Sequence, residues 1–173
     1  MRAREFWKVV TADRSDFLDR LIAVLAEHGI RYCLVGGQAV NAYAEPVVSL
    51  DLDVVVATDQ LPEVEALMRR AFRVERFPHS LNVSEAGSEL RVQIQTDPRY
   101  APFVDRAAVS DLLGLRLPVA CLEDLLQGKL WAATDATRRA SKRQKDLADI
   151  ARLLEAYPAL RARVPAEVLD RLV

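Results

Sequence analysis

Two carboxylates one residue apart in an otherwise apolar run, Leu50-Asp51-Leu52-Asp53-Val54-Val55-Val56, constrain this chain more than any other stretch. Side chains alternate across a strand, so Asp51 and Asp53 share one face and Leu50, Leu52 and Val54 the other. Two like charges side by side are costly unless something neutralises them. A hard divalent cation, Mg²⁺ or Mn²⁺, completed by substrate phosphates, is the economical solution. Upstream, the apolar run Ile30–Val35 ends abruptly in Gly36-Gly37. Glycines allow a sharp turn into a helix, predicted over Gln38–Ala44, whose first amides are unpaired and face anions favourably. A metal-binding strand beside such a turn points to a nucleoside triphosphate.

Composition narrows the class. A chain of 173 residues, 51% apolar, suits one domain with its own core. With 24 basic and 25 acidic residues the formal charge is −1, which excludes wholesale wrapping of nucleic acid but not a local basic patch. Cys33 and Cys121 lie far apart, without a CxxC pair, so neither a disulfide framework nor a zinc site is expected. Cys33, inside an apolar run, is expected to be a buried free thiol. No segment has the pattern of a signal peptide, and no run approaches the roughly 20 apolar residues of a membrane span. The expectation is a cytoplasmic protein with no membrane partner.

Periodicity supplies the elements. A helix is predicted over 13–28, capped by Asp13 or Ser15, with Phe17, Leu18, Leu21, Ile22 and Leu25 on one face and Gly29 ending it. Ile30–Val35 and Leu50–Ala57 are strands; Pro46 stops the short helix between them. A helix from Thr58 or Asp59 to about Ala71 places Val64, Leu67 and Met68 inward, with Pro62 in its first turn. Arg73–Phe77, Leu81–Val83 and Leu90–Gln95 are short β segments; in the last, Arg91, Gln93 and Gln95 form a wet face. Residues 98–114 are expected to be irregular, with a short helix near Val104–Ala108, and Leu115–Val119 is extended. Helices then cover Cys121–Thr134 and Ser141–Tyr157, and Pro165 opens a last short one. The fold class is α+β: a small mixed sheet with flanking helices over about 13–119, then a helical part over about 120–173.

The Gly36-Gly37 turn, thirteen intervening residues and Asp51-Leu52-Asp53-Val54 resemble the signature of the polymerase-beta-like nucleotidyltransferase superfamily. The downstream text is similar to the branch of abortive-infection and minimal nucleotidyltransferases of toxin–antitoxin pairs, over roughly Ile30 to Leu154. The resemblance implies the nucleotidyltransferase fold and transfer of a nucleotide from an NTP to a hydroxyl of RNA, protein or a small molecule. Asp51 and Asp53 would hold the metal, with Gly36, Gly37, Gln38 and Ser49 near the phosphates. Leu125-Leu126-Gln127-Gly128-Lys129-Leu130 matches a segment whose lysine reaches the triphosphate, and Arg143-Gln144-Lys145-Asp146-Leu147-Ala148-Asp149-Ile150 matches a second, lysine-aspartate segment. There Asp146 either orients Lys129 or an acceptor, or merely pairs within its helix with Lys142 and Arg143. Arg138, Arg139, Lys142, Arg143 and Lys145 are either an RNA-phosphate patch or a solvated helix face. His28 and His79 are isolated.

Three departures accompany the likeness. Gln38 follows the glycines where a small hydroxyl residue is frequent, and Val47 stands where an arginine is common. Above all, Val92-Gln93-Ile94 replaces apolar-Asp-apolar on the strand that supplies the third carboxylate. An amide offers a carbonyl oxygen but neither charge nor basicity. Glu89 and Asp97 have the right parity but lie about 13 Å away along the strand. A catalytically degenerate nucleotide-binding or antitoxin-like protein is therefore the alternative.

Overall fold

The computed structural model describes residues 3–10 and 16–172. In chain order it contains α1 (Ala3–Val10), α2 (Phe17–Glu27), β1 (Tyr32–Val35), α3 (Gly36–Val40), β2 (Asp51–Val56), α4 (Leu61–Ala71), β3 (Arg73–Phe77), β4 (Ser80–Ser84) and β5 (Arg91–Gln95). It continues with α5 (Phe103–Arg106), β6 (Ala108–Leu112), β7 (Leu115–Val119), α6 (Leu122–Thr134), α7 (Ala140–Ala156) and α8 (Ala166–Leu169). Short 3₁₀ turns at Thr58–Gln60, Pro98–Tyr100 and Pro158–Arg163 join them. The strands form one mixed sheet in the order β3-β4-β5-β2-β1-β7-β6. The β1–β2 pair is antiparallel, while β2 runs parallel to β5 and β1 parallel to β7.

Alternation sorts the central strands onto two faces. Leu34, Leu52, Val54, Val92 and Ile94 join the main core with Phe17, Leu21 and Leu25 of α2 and Val64 and Met68 of α4, all essentially fully buried. The opposite face carries Asp51, Asp53 and Val55 on β2 and Cys33 and Val35 on β1, because Val35 pairs with Asp53 and Cys33 with Val55. Tyr100 and Phe103 cover the apolar end of this face. Burying one such aromatic side chain contributes on the order of 2 kcal/mol. The charged end is left to α6 and α7, which pack against each other and against α3.

The structure departs from the sequence expectation in several places. Residues 108–112, expected to be irregular, form strand β6, paired antiparallel with β7 at the sheet edge. Its turn places Leu113 (φ 56°) and Gly114 (φ 74°) in the left-handed region, which suits the twist of a two-residue hairpin. The signal was weak because only Leu112 of this edge strand is buried. The short helix precedes it, at Phe103–Arg106. Helix α1 was not anticipated; Trp7 anchors it in the core at 4% exposure. The helix predicted over 13–28 begins at Phe17, and the proposed caps Asp13 and Ser15 lie outside the described residues. Helix α3 starts at the glycines themselves and gives way to turns after Val40. Gly29 adopts the expected left-handed conformation (φ 61°). Among the described residues no helix is long and apolar enough to cross a membrane.

Candidate functional site

Asp51 and Asp53 face one cavity, of about 110 Å³, where the charged end of the sheet meets α6 and α7. Strand β5 lies alongside: Arg91 is opposite Asp51 and Gln93 opposite Asp53. Gly36 is held at φ 75° against β2, and a Cβ there would lie 2.0 Å from Asp53 Oδ2. Only glycine lets backbone and carboxylate approach this closely. Gly37 is less demanding: its Cβ would stand 3.4 Å from Asp149 Oδ2. Two larger clefts adjoin. One, of about 520 Å³, shares Gln93 and Arg138 with the cavity and adds Tyr100 and Trp131. The other, of about 550 Å³, shares Gly37, Ser49, Asp51, Lys145 and Asp149.

The two carboxylates differ in their surroundings. Asp51 is ion-paired with Arg91 Nε at 2.8 Å through one oxygen and accepts from Lys142 Nζ at 3.1 Å through the other. Asp53 has no hydrogen-bond or ion-pair partner among the described residues. Burial pushes its carboxyl up to about 6, against the opposing pull of Lys129 and with a further push from Asp51. Such a group is ready to be neutralised by a cation.

Lys129, from the middle of α6, is 8% exposed and sits between two carboxylates of α7, with Nζ 3.0 Å from Asp146 Oδ1 and 2.7 Å from Asp149 Oδ2. Burial alone would depress its ammonium; Asp149 and Asp146 outweigh that and raise it above the ordinary lysine value. Arg138 Nε closes the second oxygen of Asp146 at 2.7 Å, and Arg152 Nη1 the second oxygen of Asp149 at 2.8 Å. The pairing of Asp146 with Lys142 and Arg143 along its own helix is thus corrected: tertiary partners take both its oxygens. Arg138 and Lys142, two members of the basic cluster, point into the site rather than into solvent.

The remaining candidates divide. Gly36, Gly37, Ser49, Gln93, Lys129 and Asp146 all line the cavity or its continuation beneath Gly36. Ser49 Oγ accepts from the Asp51 amide at 3.2 Å and so starts β2. The Gln38 side chain turns inward, whatever its backbone amide does. It is 1% exposed, donates to Ser49 O at 2.9 Å and accepts from Asn41, bracing the loop before β2. Asp97 faces the neighbouring cleft and is tied to Arg99 at 2.9 Å, so it does not replace the missing acid. Cys33 is fully buried, its thiol pushed up to about 12 mainly by burial, which removes it as a nucleophile. Asp149 was missed as a site residue, while Arg138 and Lys142 stand in the sequence reading only as members of a basic cluster that is either an RNA-phosphate patch or a solvated helix face. Asp149 was detectable as the residue three on from Asp146, on the same helix face.

The donor set fits one hard cation. Asp51 and Asp53 supply two carboxylates on one face, and the unpartnered Asp53 supplies the incentive. A second, independent ion lacks its acid: Gln93 is neutral, and the described residues contain no group of three or more His, Cys, Asp or Glu side chains arranged for a metal.

Comparison with known proteins agrees with this fold. ANT(2″)-Ia, solved in complex with adenylyl-2″-tobramycin, superposes with a TM-score of 0.61 at 13% identity, over 91% of this chain and 97% of that one. The lincosamide antibiotic adenylyltransferase LnuA, lincomycin-bound, gives 0.53 at 12% identity over 82% and 98%. JHP933 from Helicobacter pylori gives 0.52 at 18% identity over 89% and 70%. At these identities the likeness establishes the nucleotidyltransferase fold. Among curated proteins no sequence matches the chain. Residues 10–172 match the family described as nucleotidyl transferase AbiEii toxin, type IV TA system, and the chain belongs to that family.

Proposed function

We propose that the protein is a divalent-metal-dependent nucleotidyltransferase that moves a nucleoside monophosphate from an NTP to a hydroxyl of RNA, protein or a small molecule. The observation that carries this reading is the joint presence of Asp51, Asp53, Lys129 and Gly37 around one cavity. Mg²⁺ or Mn²⁺ on Asp51 and Asp53, with the Gln93 amide oxygen as a neutral neighbour, would supply the positive charge that stabilises the transferring phosphoryl group. The chain's own residues do the rest. Gly36 keeps the floor of the site open so that the Asp53 carboxylate stays on the cavity side. Lys129, fixed by Asp146 and Asp149, is a cation whose position costs no reorganisation when negative charge develops. Arg138, Lys142 and Lys145 add charge for the remaining phosphate oxygens. The acceptor oxygen bonds to the α-phosphorus and gives its proton to solvent, while the bond from the α-phosphorus to the α–β bridging oxygen breaks and pyrophosphate departs with that oxygen. As a member of a toxin family, and in the cytoplasm, the protein would have an antitoxin as its partner.

Incubation with each α-labelled NTP, Mg²⁺ and candidate acceptors tests the reading. Pyrophosphate release and label transfer are expected from the wild-type chain and not from Asp53→Asn. Persistent failure of both with every NTP would overturn it. Gln93, beside Asp53 in register, favours a second reading: a nucleotide-binding or antitoxin-like protein without turnover. On that reading, Gln93→Asp raises metal affinity measured by calorimetry, while the wild type binds nucleotide without releasing pyrophosphate.

A further inference from the structure

Asp51 has a cation on each oxygen, and the two cations are held differently. Arg91 is its direct neighbour on the adjacent strand, a contact set by sheet register. Lys142 comes from the first turn of α7, 91 residues away in sequence, and reaches across the cavity mouth to Oδ2. Its side chain is 34% exposed, against 9% for Lys129. Lys129 is gripped by two carboxylates, whereas Asp51 is the one carboxylate that holds Lys142 among the described residues. A long, one-third-exposed lysine on one acid is weakly held. It also lines the same cavity as Gly37, Lys129 and Lys145, the residues assigned above to the triphosphate.

An ammonium 3.1 Å from Oδ2 of Asp51 competes with a divalent ion for that oxygen, because the two positive charges repel each other across it. Conversely, an incoming triphosphate offers that ammonium several anionic oxygens in exchange for one. We infer that Lys142 is a removable counter-cation of the metal site: it occupies the Asp51 arm in the nucleotide-free protein and moves to the phosphates when nucleotide and metal enter. This rests on the metal and triphosphate reading given above and adds an order to it. Metal alone binds weakly, the triphosphate binds without metal, and each improves the affinity for the other, as linkage requires. Lys142 is then a positioning residue that keeps the two acids from repelling each other in the empty site.

The test uses the full chain with Lys142→Gln, Lys142→Arg and Arg91→Gln, each checked by thermal melting. Mn²⁺ binding without nucleotide is followed by electron paramagnetic resonance, and binding of a non-hydrolysable triphosphate in chelator by calorimetry. Lys142→Gln is expected to bind Mn²⁺ roughly tenfold more tightly and the metal-free triphosphate roughly tenfold more weakly, the two changes having opposite sign. Lys142→Arg should restore both values. Arg91→Gln should tighten Mn²⁺ without weakening the triphosphate, and it keeps the question open to test should Lys142→Gln fold poorly. If Lys142→Gln leaves both affinities unchanged, or weakens both, the lysine is only a tie between α7 and β2 and the inference fails. An Arg91→Gln protein showing the same opposed pair of changes would also overturn it. Absence of Mn²⁺ binding in every protein, even with triphosphate present, would instead overturn the metal reading itself.

Discussion

Lys129 and Lys142 are two lysines on neighbouring helices, each paired with aspartate at about 3 Å, yet their settings are opposite. The Lys129 side chain is 9% exposed between Asp146 and Asp149, which Arg138 and Arg152 complete from behind. Lys129 serves two carboxylates that are largely shut off from solvent, so its departure would take a partner from both at once. Lys142 is one-third exposed and answers to Asp51, itself 29% exposed and shared with Arg91. Its loss leaves no charge orphaned. A site that must bind and release a polyphosphate benefits from both kinds: one cation whose position is fixed in advance, and one that can change partners.

Substitutions should separate the two. Lys129→Met takes the shared cation from Asp146 and Asp149, leaving each with one arginine, and should cost about 3 kcal/mol, read as a lowered midpoint in urea unfolding. A loss under about 1 kcal/mol would show that the network is not coupled as described. Gly36→Ala comes next. Its strained backbone costs about 1–2 kcal/mol, and the displaced Asp53 should lower label transfer by at least about 100-fold, whereas Gly37→Ala, with its Cβ 3.4 Å from Asp149, should change either measure much less. The pH dependence of stability follows from Asp53, whose folded-state carboxyl stands at about 6, above its unfolded value. The native protein holds that proton more tightly. The metal-free protein should therefore lose stability as pH rises from about 4 to 6, with the loss complete above that window. Asp53→Asn should remove this component, and saturating Mn²⁺ should oppose it in the wild type; thermal melts across the window check both. The smallest effect belongs to Lys142→Gln, at about 1 kcal/mol or less in the same urea experiment.

Much of the site was legible because its chemistry is local. Alternation placed Asp51 and Asp53 on one face from sequence alone, and Gly36-Gly37 marked a turn that only glycine could make so close to Asp53. The parity of Arg91, Gln93 and Gln95 located the strand that borders them. What stayed hidden is long-range or marginal. Helix spacing offered Asp146 a partner in Lys142, four residues away, and the family resemblance offered Lys129; its oxygens went to Lys129 and Arg138, and Lys142 went to an acid on β2. No periodicity reports such an exchange. Strand β6 escaped because an exposed edge needs no apolar alternation, and the brace of the Gln38 side chain on Ser49 exists only once the loop before β2 has folded.

The most direct test is a crystal soaked with Mn²⁺ and a non-hydrolysable triphosphate, read by anomalous scattering. The expected map has one manganese peak shared by Asp51 and Asp53, phosphates beside Lys129, and the Lys142 ammonium withdrawn from Asp51. A map with no peak within coordinating distance of Asp53, or with the triphosphate bound away from Lys129, would contradict the assignment of this cavity to nucleotidyl transfer.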